Sequence, residues 1–553
     1  VSDLHPGLCA VLADQPARDF MARWATLDAE GQTEALRHRF RHRQEEMLRW
    51  CLPRLFSRPW NRYHLSTLAR RKLAWADRRG RNTLRVDAAP RGIAKTTTAK
   101  GEIVHDVCYG LEEQITIVSA ETRLARSITK HLRRIFMAKE GRLCDLFGPF
   151  TVEGGVDEFR VTTRDGYTVG ILARSFGTQI RGANEDGARP TRIVVDDGER
   201  PDRVRNPRLR EEDQQFLDDD ILACGPIDGG LIVDWRGTVL HPDALLPRLL
   251  RNAGWSGRKW KAVESWPVRA DLWEEARRIY TDLTRGDPSE RWQAAYDFYE
   301  ANRAAMDEGV QLLDAVALPI FAVYVEIWTK GLRSVLRERQ NEPFDPTSQV
   351  FDTEKVRRCR FDGRQIHTSR GTVVDLAACQ VAIWLDPSGG DADSDFPALA
   401  VVARDPHGYR YVIHAEGARR APSDQHAALW RVWERFAAQR PAVGVDATGT
   451  QNLLYGAFEQ QRQERRRAGK AWAMSPLLHK WTGNKVDRIS GIEPDVTNGW
   501  IEFAADLPVE VLDEMRDHPN ATHDDYLDAI EAADGLLCGR VAGGLTSHRS
   551  LRG

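Results

Sequence analysis

Nowhere in the 553 residues does an apolar run approach the roughly 18–20 residues that cross a bilayer, which excludes a helical membrane span. The opening V-S-D-L-H-P-G lacks the basic-then-apolar layout of a secretion signal. The 8 cysteines are scattered without a C-x-x-C pair, so neither a zinc site nor a disulfide framework is expected. Internal repeats and low-complexity linkers are missing. Net charge is almost missing too, at -2, although sequence-independent binding to nucleic acid draws its affinity from basic surface. These gaps predict a soluble, non-membrane protein of a reducing cytoplasm, and they leave the question of nucleic acid to local charge.

What is present is an ordinary globular composition, 42% hydrophobic and 29% charged, on a chain long enough for two large domains. Arginines crowd the segment Arg37 to Arg79 and the stretch Arg462, Arg465, Arg466, Arg467; each tract reads as a solvated helix face or as a phosphate-binding surface. Residues 1–59 read as a helical extension. From Thr83, short β-rich runs alternate with helical stretches: T-L-R-V-D at Thr83, Q-I-T-I-V-S at Gln114, T-R-I-V-V-D-D at Thr191 and G-L-I-V-D-W at Gly230. This alternation predicts an α/β domain, residues 60–340, with a mainly parallel sheet covered by helices on both faces. A polar, aromatic-bearing stretch at about 271–310 reads as a helical excursion from it.

After a linker over 341–374, a second block at 375–540 carries V-A-I-W-L-D at Val381, A-L-A-V-V-A-R-D at Ala398 and Y-R-Y-V-I-H at Tyr409. Asp405, Pro406 and Gly408 mark a turn between antiparallel strands. A helix follows Pro422 and Ser423, with Leu429, Val432, Trp433 and Phe436 on one face, and then the strand A-V-G-V-D at Ala442. The order β-β-β-α-β with acids at strand ends predicts an RNase H-like nuclease domain. Residues 541–553 read as a tail.

Two constellations carry chemistry. The first is A-A-P-R-G-I-A-K-T-T-T, between the strand at Thr83 and a helix. Strand, tight loop, Lys-Thr and helix is the plan of a P-loop (Walker A): backbone amides of Gly92, Ala94 and the first helical turn through Thr97 cradle phosphates, Lys95 reaches the β/γ oxygens of ATP, and the Thr96 hydroxyl ligates Mg²⁺. Alanines stand at 89 and 94, where glycines are usual, and a methyl group penalises any left-handed backbone there. Downstream, R-I-V-V-D-D-G-E puts Asp196, Asp197 and Glu199 just past a buried-type strand, in the manner of a Walker B acid cluster. Such acids hold Mg²⁺ and orient the attacking water; either Asp197 or Glu199 suits the second task.

The second constellation is acidic. Asp386 ends V-A-I-W-L-D, Asp446 ends A-V-G-V-D, and H-D-D-Y-L-D-A-I at His523 opens a helix with Asp524 and Asp525, Asp528 lying one turn on. Two strand ends and a helix start can bring carboxylates into one pocket, as two-metal phosphodiester hydrolysis requires.

Together these residues resemble the large terminase family of tailed bacteriophages, over roughly Thr83 to Asp534. The features that carry the resemblance are Arg91 four residues before Lys95, the run V-D-D-G-E-R-P-D-R-V-R-N-P at Val195, and Arg181-Gly182 upstream of it. R-E-R-Q-N-E-P at Arg337 and the ordered acidic motifs D-P-S-G-G, V-D-A-T-G-T and H-D-D-x-x-D-A add to it. The resemblance implies an ATP-driven motor that moves double-stranded DNA into a procapsid, and an endonuclease that cuts concatemeric DNA. It implies Arg181 as an arginine finger, Gly237-Thr238 as a motif coupling hydrolysis to movement, and Asp386, Asp446 and Asp525 as principal ligands of two divalent cations, Mg²⁺ or Mn²⁺. Asp524 and Asp395 are implied as auxiliary ligands. The implied partners are a small terminase subunit, the portal protein of the procapsid and further copies of the chain in a ring; the implied location is the host cytoplasm. A recombination or repair nuclease with a degenerate NTPase module, and a non-catalytic DNA-binding scaffold, are the alternatives.

Overall fold

A computed structural model of the protein describes residues 15–76, 80–178, 189–343, 348–388, 396–417, 422–447, 460, 463–469, 474, 476–481 and 483–541. The chain divides into two compact units. One comprises Val1–Val268, Gly309–Val323 and Arg333–Asp345, the other Arg269–Glu308, Tyr324–Leu332 and Pro346–Gly553. Among the described residues no helix is long and apolar enough to cross a membrane.

The first unit is built on eight strands: β1 (Thr83–Ala88), β2 (Gln114–Ser119), β3 (Thr151–Gly154), β4 (Glu158–Thr162), β5 (Thr168–Ser175), β6 (Arg192–Asp196), β7 (Ile232–Gly237) and β8 (Ser256–Lys259). They stand in the order β3-β4-β5-β2-β6-β7-β1-β8. Every pairing from β5 to β8 is parallel, and only the β3-β4-β5 edge is antiparallel. The four runs read from the sequence are β1, β2, β6 and β7. Along β6, Ile193 and Val195 enter one core layer and Val194 the opposite one; a strand buried on both faces is apolar throughout rather than alternating. The described residues before 60 do not stand apart from this unit. Leu36, Phe40 and Met47, from the helices Ala29–His42 and Gln44–Cys51, join the same core as Ile103 and Val107. A two-stranded ribbon, β9 (Val263–Ser265) with β10 (Gln311–Leu312), completes the unit.

Buried charge fastens the helix Lys95–Cys108 to this sheet. Arg192 is fully buried and pairs with Glu102 and Asp106 of that helix and with Asp234 of β7. Arg85 on β1 also holds Asp234, Arg236 holds Glu102, and Arg71 holds Asp106 and Glu112. Much of the arginine tract between 37 and 79 is therefore spent on internal pairs, Arg39 with Glu46 and Arg70 with Asp87 among them.

The second unit carries nine strands: β11 (Arg358–Phe361), β12 (Gln365–His367), β13 (Val373–Asp375), β14 (Gln380–Asp386), β15 (Ala398–Arg404), β16 (Arg410–Gly417), β17 (Ala442–Asp446), β18 (Leu477–His479) and β19 (Ile501–Ala504). Their order is β13-β12-β11-β19-β16-β15-β14-β17-β18. β14, β15 and β16 form the antiparallel meander, and β17 returns parallel to β14 after the helix Pro422–Arg435, the expected RNase H-like order. Asp405 Oδ1 accepts the amides of His407, Gly408 and Tyr409, closing the β15–β16 turn. Leu429, Val432, Trp433 and Phe436 are all buried against one face of the sheet, and the helix Asp525–Leu537 lies across the other, buried along its whole length.

Two boundaries differ from the sequence reading. β11, β12 and β13 occupy part of 341–374, so that stretch is sheet rather than bare linker. The helical segment after Arg269 groups with the second unit instead of the first. Its aromatic and polar groups find partners there: Trp500 donates to the Thr281 carbonyl at 2.8 Å, Leu283 N donates to the Tyr409 hydroxyl at 3.0 Å, and Trp273 stacks on Tyr324 at 3.8 Å between ring centres.

Replacing Arg192 by Met removes one cation from three buried carboxylates, leaving Glu102 to Arg236, Asp106 to Arg71 and Asp234 to Arg85. Breaking a buried ion pair on one side costs about 3–5 kcal/mol, so Arg192→Met should lower the unfolding free energy of the first unit by that amount, read by urea titration. An unchanged denaturant midpoint would contradict the role given to this lattice.

Candidate functional site

The parallel register sets the first site at the C-terminal ends of the strands. Ala88 pairs with Gly237 and Asp196 with Arg236, which brings the loop after β1 beside the residues that follow β6 and β7. Lys95 opens its helix and is buried. Its Nζ donates to the Ala89 carbonyl at 2.8 Å and to Thr238 Oγ1 at 2.7 Å, and stands 3.8 Å from Asp197 Oδ1. Burial pulls the lysine below its ordinary pKa, with Asp197 and Asp196 opposing. Thr96 Oγ1 donates to Asp196 Oδ2 at 2.6 Å. Asp196 Oδ1 is buried and has no hydrogen-bond partner. Burial and then the adjacent Asp197 raise the Asp196 pKa to about 6. A hydroxyl beside an orphaned carboxylate oxygen fits a magnesium ion, which takes oxygen donors.

The two alanines of the loop behave differently. Ala89 has ordinary backbone, whereas Ala94 is left-handed at φ 63° and so carries the strain that glycine would avoid. Gly92, at φ 88°, meets that demand without cost, and a Cβ there would stand 3.2 Å from Arg339 Nη1. Arg91 pairs with Glu338 at 2.8 Å, and Thr97 is half-buried in the first helical turn. Asp197 is also left-handed, at φ 46°, and that reversal separates the two acids the sequence left open. Asp197 faces Lys95. Glu199 turns away and accepts the amides of Leu245 and Leu246, at 2.7 and 3.1 Å, capping the helix Leu245–Arg251; burial raises its pKa to about 7. Asp197, Glu199, Arg91 and Thr238 line a cavity of about 320 Å³.

In the second unit, the β14–β17 register pairs Leu385 with Val445, so Asp386 and Asp446 end adjacent parallel strands side by side. Gly444 is needed there, because a Cβ would meet the Trp384 ring at 2.2 Å. The helix Asp525–Leu537 points its start at the same corner, with Asp524 preceding it and Asp525 and Asp528 in its first turn; acids are favoured at that end by the helix dipole. Glu514 fixes this start by accepting the amides of Tyr526 and Leu527 at 3.4 and 3.0 Å, and burial raises its pKa to about 8.

Sequence reasoning assigned no role to three residues here. Asp528 comes first among the neighbouring charges that, after burial, hold Asp386 well above the usual carboxylate pKa, followed by Asp446 and Asp525. Lys485 reaches into the acids, with Nζ 2.7 Å from Asp524, 3.2 Å from Asp528 and 3.9 Å from Asp525. Burial pulls its pKa down, yet Asp528, Asp524 and Asp386 raise it above the ordinary lysine value. Arg488 pairs with Asp528 at 2.6 Å and with Glu531 at 2.7 Å. The i, i+3 spacing of Asp525 and Asp528 was a readable signal; nothing local marks Lys485. Among the described residues no three His, Cys, Asp or Glu side chains form a closed metal-binding group. The donor set fits divalent cations in chemistry and charge, with Lys485 standing as the cation among the acids. Arg181 and Asp395 lie outside the described residues.

A raised carboxylate pKa stabilises the fold fully below the unfolded value, and that contribution is lost as pH rises through the folded value. Asp386 and Glu514 are both raised, so without divalent metal the second unit should lose stability between pH 5 and 8. Mn²⁺ neutralises the ionised acids and at pH 8 should stabilise the unit by about 2.7 kcal/mol at a hundredfold excess over its Kd, with a smaller effect of the same concentration at pH 5, read by thermal melting. Equal shifts at both pH values, or none, would contradict the site.

No protein-family model and no curated protein matches the chain. Among solved structures, the large terminase of a thermophilic bacteriophage is 10% identical, covering 87% of this chain and 100% of that one with a TM-score of 0.44. The HK97 bacteriophage large terminase is 12% identical over 86% of this chain and 95% of that one, with a TM-score of 0.27. The human cytomegalovirus terminase nuclease domain is 12% identical over 29% of this chain and 83% of that one, with a TM-score of 0.23. The solved structures this chain is similar to are thus terminases, at 10–12% identity.

Proposed function

We propose that the protein is the large subunit of a viral DNA-packaging terminase, an ATPase motor built on the eight-stranded sheet of the first unit joined to a metal-dependent DNA endonuclease built on the nine-stranded sheet of the second. The observation that carries this reading is the pair of constellations within one chain: Lys95, Thr96 and Asp196 at the end of a parallel sheet, and Asp386, Asp446, Asp525 and Asp528 at the corner of an RNase H-like one.

In the motor, the loop amides and the start of the helix Lys95–Cys108 receive the triphosphate of ATP, and Lys95 leaves Thr238 to meet the β/γ oxygens. Thr96 and Asp196 hold Mg²⁺, which when bound neutralises charge on the transferred phosphoryl group. Asp197, half-exposed and opposite Lys95, orients the attacking water, while Glu199 keeps the loop in place from behind. Thr238 sits between Lys95 and β7, where a change at the phosphates passes directly to the strand. Arg181 is the proposed arginine finger.

In the nuclease, Asp386, Asp446 and Asp525 hold the divalent cations, with Asp524, Asp528 and Asp395 as auxiliary carboxylates. The cations, when bound, activate water and stabilise the leaving oxygen. Lys485 and Arg488 restrain the acids on the helix side. The substrate is double-stranded DNA, and the partners are a small terminase subunit and the portal of a procapsid. Several copies act as a ring in the host cytoplasm.

Two variants separate the halves. Lys95→Ala should lose DNA-stimulated ATP turnover by at least about a hundredfold and still cut plasmid in Mn²⁺ or Mg²⁺; Asp446→Ala should do the reverse. Cutting retained in Asp446→Ala would reject the nuclease site. Turnover unchanged in Lys95→Ala would reject the motor, and cutting by a native chain without DNA-stimulated turnover would favour a repair nuclease.

A further inference from the structure

A second cavity, of about 280 Å³, lies in the first unit away from the phosphate loop. Its walls come from the turn between the helices Ala29–His42 and Gln44–Cys51, from the helix Arg62–Ala76, and from the last turn of the helix Lys95–Cys108. Lys95 begins that last helix, whereas His105 and Asp106, which line the cavity, stand ten or more residues further on, about 15 Å away at 1.5 Å per residue.

The floor is Arg71, 2% exposed. Its Nη2 binds Glu112 and Asp106, but its Nε and Nη1 are buried without a hydrogen-bond partner. A buried guanidinium edge left unpaired costs free energy that an acceptor would recover. The rim is basic: Arg41 and Lys72 are exposed beside it. Their field is felt by His42, which burial and then Lys72, His38 and Arg41 hold below the ordinary histidine pKa. Leu65, Leu68 and Leu111 form an apolar stretch of wall that ends at Trp75, over whose ring Arg41 lies at 5.6 Å, while Gln44 and the paired Arg43 and Glu45 line the opposite part.

We propose that this cavity binds a nucleoside monophosphate, at a site separate from the phosphate loop. The flat base lies along Trp75 and the apolar wall beside Arg41, and the phosphate meets Lys72 and the free edge of Arg71. At about 280 Å³ the cavity stands at the lower edge of ligand pockets, which begin near roughly 300 Å³, so it suits a ligand no larger than one mononucleotide. A bare phosphate would leave the apolar wall unused. Because Asp106 is shared between Arg71 and Arg192, the ligand would bear on the lattice that seats the phosphate-loop helix, which makes the site a regulatory one.

The test is isothermal titration of the full chain carrying Lys95→Ala, which removes the phosphate-loop lysine from the measurement, with AMP and separately with inorganic phosphate. AMP should bind, phosphate at least about tenfold more weakly, and the surface reversals Arg41→Glu and Lys72→Glu should each weaken AMP by about tenfold or more. Thermal melting of these variants should match the parent, since both side chains are exposed. The proposal is overturned by no AMP binding at millimolar concentration, by affinity indifferent to both reversals, or by phosphate binding as tightly as AMP. Loss of motor activity in Lys95→Ala has no bearing on any of these outcomes.

Discussion

A carboxylate taken out of water must be matched by a cation, by hydrogen-bond donors or by a proton, because an unpaired buried charge costs several kcal/mol. The two units meet this constraint in different ways. Beneath the phosphate loop the matching is internal: Glu102, Asp106, Glu112 and Asp234 face Arg71, Arg85, Arg192 and Arg236. That lattice is structural, since its members are held by one another and the helix Lys95–Cys108 is seated on them. At the corner of the second sheet Asp386, Asp446, Asp524, Asp525 and Asp528 face Lys485 and Arg488, and the excess of negative charge is what a pair of divalent cations would remove.

The same contrast appears within the first site. Glu199 is buried, but two helix amides satisfy it, so its burial says nothing about a ligand. Asp196 is buried with one oxygen bonded to Thr96 and the other unpartnered, and that asymmetry is what supports the proposed Mg²⁺ beside it. Two of the described non-glycine residues with left-handed backbone, Ala94 and Asp197, stand on either side of Lys95. Strain of this kind persists where the surroundings over-determine it, and it collects at functional sites.

The strands that carry the two sites were legible in the sequence because they are buried on both faces and end abruptly in acids or a turn; β6, β7, β14 and β17 all read as largely apolar runs. The strands β3 and β4 and the hairpins of β11-β12-β13 were not, since short half-exposed strands carry little pattern; β5, longer and largely buried, was missed as well. Asp386, Asp446 and Asp525 were readable as strand ends and a helix start, and the register places the first two side by side. Lys485 was invisible, because what brings it to the acids is the packing of the helix Lys485–Ser490 against the helix Asp525–Leu537 and not any spacing along the chain. The turn that sets Asp197 toward Lys95 and Glu199 away from it rests on one positive φ angle, which residue types at adjacent positions do not reveal.

Where divalent metal goes tests the two-cation nuclease site most directly. Crystals of the full chain soaked in Mn²⁺ and measured at the manganese edge should give two anomalous peaks about 4 Å apart, bounded by Asp386, Asp446 and Asp525, with Lys485 displaced from the acids. No peak at that corner, or manganese bound only elsewhere on the chain, would contradict it.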